Sequence, residues 1–119
     1  MIYKGMVQFW FPGHEQRSEM TWDSEENMYT VCLDDYTDDR KLVFKGRRVH
    51  SGEFAFTQIN KAATGRDKPN EFRIPDLAEN VKARGIYKDN HPRYVGTNCS
   101  IEVSLVEPFT AYVNSGDEG

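Results

Sequence analysis

Residues 99–109 read CSIEVSLVEPF, and the alternation inside this run decides the fold class. Ile101, Val103 and Leu105 take every second position with Ser100, Glu102 and Ser104 between them, the period of a strand with one face in a core and one in water. Working outward, IYKGMVQFWF (2–11) is rich in strand-favouring residues and is stopped by Pro12-Gly13. MYTVCLDD (28–35) sets Met28, Thr30 and Cys32 against Tyr29, Val31 and Leu33, which suits a half-buried strand in a hairpin-like pairing with the first run. A polar, acidic stretch from His14 to Asn27 separates the two. GEFAFTQINKAA (52–63) puts Phe54, Phe56, Gln58 and Asn60 on one side of a strand and Ala55, Thr57, Ile59 and Lys61 on the other. Neither side is purely apolar, whereas a strand with a single buried face normally sorts more cleanly.

Between these strands the character changes. In DDYTDDRKLVFKG (34–46) acids come first, Arg40 and Lys41 follow, and Gly46 closes the run, the charge order that favours a short helix. A calcium loop in this register lacks the required combination of a glycine at its sixth position and a carboxylate at its twelfth, so no metal is expected. TGRDKPN (64–70) reads as a loop, and residues 71–98 as a long irregular stretch punctuated by Pro75, Gly85, Pro92 and Gly96. Short strands, one short helix and basic loops predict a mainly β fold, a small OB-fold-like antiparallel barrel of five strands with one short helix. A chain of 119 residues has room for one core, placed at 1–113, with 114–119 as a short acidic C-terminal stub.

Hydrophobic residues at 38% and aromatics at 13% are enough for a packed interior, so disorder is not expected. No run approaches the roughly 20 apolar residues that cross a bilayer, and the first residues lack the basic flank and long apolar run of a secretion signal. A cytoplasmic location without a membrane partner is expected, and Cys32 and Cys99, unclustered and outside any CxxC, fit it as ordinary thiols.

The formal net charge of −4 conceals a division along the chain. Residues 1–39 carry two bases against nine acids, residues 40–93 thirteen bases against six acids, and residues 94–119 no base against four acids. Such asymmetry points to an anionic partner for the middle of the chain, provided folding does not intermix the segments. Catalysis finds no support: His14, His50 and His91 lie far apart, and no HExxH, GxSxG or phosphate-cradling glycine loop accompanies them. No enzymatic activity and no cofactor are expected.

Single-stranded nucleic acid fits better. Lys and Arg displace counterions along a phosphate backbone, and exposed aromatic rings stack on bases for about 1–3 kcal/mol each. Lys45, Arg47 and Arg48 precede Phe54 and Phe56, then Lys61, Arg66 and Lys68 follow, and Arg73, Lys82, Arg84, Tyr87, Lys88, Arg93 and Tyr94 continue the interleaving. Phosphate contacts and ring stacking carry no base code, so little sequence preference is expected. Phe54 and Phe56 have two open roles, core or stacking platform. Trp10 ends an apolar strand, and Trp22, flanked by acids that repel phosphate, is assigned to packing or a protein contact.

The order KGMVQFW, NMYTVCLDDYTDDRKL, GEFAFTQINKA, DKPNEFRIPD and YVGTNCSIEVSLVEPF resembles the small phage single-stranded DNA-binding proteins built on an OB fold, over most of the chain. The resemblance matches Phe54, Phe56 and Lys61 to an aromatic-basic strand and Lys68 with Pro69 to the loop after it, with approximate counterparts for Arg47 and Arg48. It implies non-specific binding of single-stranded DNA in phage replication, recombination or repair, in the cytoplasm of an infected bacterial host. It also implies an acidic tail that contacts replication proteins, with SGDEG as its stub. The family continues past the strand like SIEVSLVEPF with a further hairpin and a last strand, where this chain has TAYVNSGDEG. A shortened last strand, closure by another chain, or failure of the resemblance at this end are the alternatives, and an open edge at CSIEVSLV would favour a homodimer. A reading from another class is a small β-rich phage module that binds a host protein through the acidic segment bearing Trp22.

Overall fold

The computed structural model describes residues 1–35, 40–60, 69–89 and 97–112. They form eight strands: β1 Ile2–Phe11, β2 His14–Asp23, β3 Met28–Asp35, β4 Arg40–Arg48, β5 Phe54–Gln58, β6 Glu71–Ile74, β7 Ala83–Asp89 and β8 Thr97–Ala111. Each strand pairs antiparallel with its neighbour in the chain, and β8 pairs back to β1, so the sheet closes on itself. The expected small antiparallel barrel is therefore present, as an up-and-down meander of eight strands where five were expected.

The expected helix is absent among the described residues. Residues 40–48 are strand β4, in which Leu42, Phe44 and Gly46 point inward and Lys41, Lys45 and Arg47 outward. The acids and bases that resembled a helix dipole instead face each other across a hairpin: Asp34 lies opposite Lys41 in the β3–β4 register, and the two side chains form an ion pair. The polar stretch 14–23 is strand β2, which separates β1 from β3, so the expected β1–β3 hairpin does not form. Its hairpin with β1 turns on Pro12-Gly13, with Gly13 at φ 87°, the residue pair that a type II turn requires. The irregular stretch likewise contains β6 and β7.

Closure falls to β8, fifteen residues long, which pairs with β7 through Thr97–Val103 and with β1 as far as Ala111. Between the pairs Lys4↔Thr110 and Met6↔Glu107, Pro108 and Phe109 oppose the single residue Gly5, a bulge that accommodates a proline within the ladder. CSIEVSLV is thus held between two neighbours, paired with β7 up to Val103 and with β1 from Glu102 onward. The open edge that would favour a homodimer does not exist, and "TA" after Phe109 belongs to the closing strand.

The interior is filled by side chains. Phe72 is its centre, stacked on Phe56 at 4.6 Å and met edge-on by Phe44 at 5.1 Å and Phe9 at 5.8 Å. Gly46 makes room for this packing, because a Cβ there would lie 2.6 Å from Phe56 Cγ. At one end the interior is polar and satisfied: Asn70 donates from its backbone to Gln58 Oε1 at 3.1 Å and from Nδ2 to the Tyr87 hydroxyl at 3.0 Å. Gln58 Nε2 donates to the Asn60 carbonyl at 3.0 Å.

Candidate nucleic-acid interface

A meander keeps chain neighbours as spatial neighbours, so the charge division of the sequence survives folding. Strands β4 to β7 carry eight bases against two acids, whereas β8 and β1 to β3 carry two bases against seven acids. The barrel wall is therefore basic on one half and acidic on the other. On the basic half, registered rows fix which side chains stand together. One outward row runs Lys45, Thr57, Glu71, Lys88 and the next Arg47, Ala55, Arg73, Ile86, with strands about 4.8 Å apart. Arg84 extends the outward set of β7 beyond Ile86.

The cations of this wall are not equally available. Arg73 is held by Glu53 at 2.7 Å, an exposed pair of modest worth. Arg47 donates to the Met28 sulfur at 3.9 Å, and Arg47, Lys45, Arg84 and Lys88 have no ion pair among the described residues. Arg48 sits differently, at the barrel rim. Its guanidinium lies 4.4 Å over the Phe54 ring, donates to the Gly52 carbonyl at 2.7 Å and approaches Asp76 at 3.6 Å, so it braces the rim.

Of the basic residues that the sequence interleaves with aromatics, Lys45, Arg47, Arg73, Arg84 and Lys88 come together on this face. Parity puts them there: Lys45 is two residues from Arg47, and Arg84 four from Lys88, so each shares its partner's face once both segments are strands. Phe54, Phe56 and Tyr87 point inward at 3%, 1% and 6% exposure. They are core, with no ring face open to a base: of the two roles open for Phe54 and Phe56 this selects core, and it corrects the expected stacking by Tyr87. Lys61, Arg66, Lys68, Arg93 and Tyr94 lie outside the described residues.

One group of half-exposed aromatics gathers at this rim. Trp22 lies 5.0 Å from Tyr3 and 6.0 Å from Tyr29, and its indole N–H donates to Asn27 Oδ1 at 3.2 Å. Tyr29 in turn meets Phe54 and Phe109 edge-on, at 5.2 and 5.5 Å. Burial pushes the Tyr29 phenol above its ordinary range, and the nearby Arg48 cation pulls part of that back. Among the described residues no three His, Cys, Asp or Glu side chains converge as metal ligands, and no helix is long and apolar enough to cross a membrane. No family model, curated protein or solved structure matches this chain.

Proposed function

We propose that this barrel binds single-stranded DNA without sequence preference, through the phosphate backbone, along the wall made by β4 to β7. The observation that carries this reading is the spatial segregation of charge: cations of three strands share one outer face while the acids are concentrated on the other half. A wall of this kind attracts a polyanion, releases its counterions and has no means of reading bases. The resemblance to phage single-stranded DNA-binding proteins supplies the setting, replication, recombination or repair of phage DNA in an infected cell.

The test is a titration of fluorescent oligo-dT at low and moderate salt, with a duplex of equal length as control. Tight binding at low salt is expected from the wall, and stronger binding of oligo-dT than of duplex from the resemblance. Replacing Lys45, Arg47 and Lys88 together by Gln should weaken binding and make the salt dependence shallower by about 2 units in log–log slope, at roughly 0.7 per phosphate contact on a single strand. No binding at low salt would overturn the proposal. If a defined protein is captured through the Trp22 rim instead, the reading passes to the protein-interaction module.

A further inference from the structure

Gln8 and Ser104 break the rule of the strands that carry them. Gln8 lies between Val7 and Phe9, and Ser104 between Val103 and Leu105, four residues that fill the core, so both polar side chains face outward. Yet they are only 8% and 6% exposed. The connection from β6 to β7 runs alongside β8 here, where Leu105 N donates to the Ala78 carbonyl at 3.1 Å and Asn80 N to the Leu105 carbonyl at 3.4 Å, and Asn80 and Lys82 stand with Gln8 and Ser104 around one outer cleft. Between this segment and β2 lies an open cleft of about 400 Å³, within the size range of small-molecule sites.

The lining has a definite chemistry. Gln8 and Ser104 form the floor beside the Trp10 indole, Arg17 stands on the β2 side, and Asn80 and Lys82 stand on the β6–β7 connection. Arg17 Nε donates to Gln8 Oε1 at 3.1 Å, which holds the guanidinium over the floor and leaves its terminal nitrogens uncommitted to this bond. Lys82 Nζ rests 4.3 Å from the Trp10 ring centroid. The buried Ser104 hydroxyl has no hydrogen-bond partner among the described residues, and Gln8 Nε2 has only a long contact of 3.5 Å to the Phe9 carbonyl. Buried polar groups normally find partners, so these two offer bonding capacity that a ligand in the cleft can take over from water. Two cations and three neutral donors favour an oxyanion, and an indole favours a planar group beside it. Glu15, at the indole end, is the one carboxylate of the lining and takes an N–H or O–H donor.

We propose that this cleft binds a nucleoside monophosphate group, with the phosphate between Arg17 and Lys82 above Ser104 and Gln8, and the base on Trp10. The Lys82 ammonium then exchanges the indole face for the phosphate, which frees that face for the base. The cleft belongs to β1, β2 and β8, on the acidic half of the barrel, so it stands or falls separately from the wall of β4 to β7. The shared chemistry has two sources, a free nucleotide or the phosphorylated end of a strand.

The test follows the indole N–H resonance of Trp10, assigned with the Trp22→Phe variant, during titration with dTMP, thymidine and inorganic phosphate. Saturable shifts with dTMP are expected, with thymidine and phosphate each weaker by about tenfold or more, since either loses a charge-assisted contact or the ring. Lys82→Gln, which alters a residue outside the strands, and Arg17→Gln should each weaken dTMP by about tenfold while the melting temperature of the Lys82 variant holds. Tighter binding of 5′-phosphorylated than unphosphorylated oligo-dT, lost in Lys82→Gln, assigns a strand end, and no such difference assigns the free nucleotide. The proposal is overturned if neither dTMP nor phosphorylated oligo-dT moves the Trp10 resonance at millimolar concentration, or if the Lys82 and Arg17 variants bind as the parent does.

Discussion

Phe56 and Phe72 lie almost parallel at 4.6 Å, and Gly46 lies opposite Phe56 across the β4–β5 ladder. The ring of Phe56 occupies the space that a side chain at 46 would need. Truncating Phe56 removes the central stack and leaves a void that rigid neighbouring strands cannot close. Phe56→Ala should therefore cost about 3–5 kcal/mol of unfolding free energy in a urea titration. Oligonucleotide affinity of the folded protein should stay at the parent value, because the residue does not reach the surface. A loss of affinity without a loss of stability would return it to the stacking role. Spacing alone left the two roles of Phe54 and Phe56 open, since a period of two says that the residues share a face and not which side of the sheet that face is on.

Element boundaries were hidden where the barrel interior is polar or the strand charged. In β2 the inward row runs His14, Gln16, Ser18 and Met20, with only the last fully buried, so the apolar alternation that reveals a strand is missing. β4 imitated a helix because its bases follow the acids of β3, a sequence order that serves cross-strand pairing equally well. The mixed side of the 54–60 run has a similar cause. Gln58 points inward as Phe54 and Phe56 do, and the Asn60 side chain bonds the neighbouring strand: its Oδ1 accepts from Val43 N at 2.9 Å and its Nδ2 donates to the Lys41 carbonyl at 2.8 Å. Asn60 thus extends the β4–β5 ladder past the end of β5. Asn60→Ala leaves both backbone groups without that partner and should cost about 1–3 kcal/mol, with faster hydrogen exchange at Val43 N–H. Unchanged exchange there would show that water replaces the amide without penalty.

For the molecule as a whole, three ionisable groups respond to pH in the same direction. Burial raises the Tyr29 phenol above 10.0, and burial followed by the Asp89 charge raises the Cys99 thiol above 9.0. The hydrogen bond to Asp34 raises Lys41 above 10.5. In each case the folded chain holds its proton more tightly than the unfolded chain. Stability from these groups is fully present below the ordinary values and is lost as pH rises through them toward the folded ones. The melting temperature should accordingly fall progressively above about pH 9, and Cys99→Ala should delay the onset. A level melting temperature up to about pH 11 would contradict these shifts. At this scale the sequence by itself determined the class of fold, through the alternation of Ile101, Val103 and Leu105, and the existence of a basic middle between acidic flanks. Both are properties of order along the chain, and a meander, in which each strand pairs with its neighbours in sequence, transmits that order into space unchanged. Tertiary structure alone decided the rest. Closure by β8 sets the register, the register sends Phe54, Phe56 and Tyr87 inward and Arg47, Arg73 and Lys88 outward, and the β6–β7 connection pairs beside β8 and brings Asn80 and Lys82 to the cleft of Gln8 and Ser104. These contacts join residues far apart in sequence, and no local pattern encodes which face of a strand will meet them.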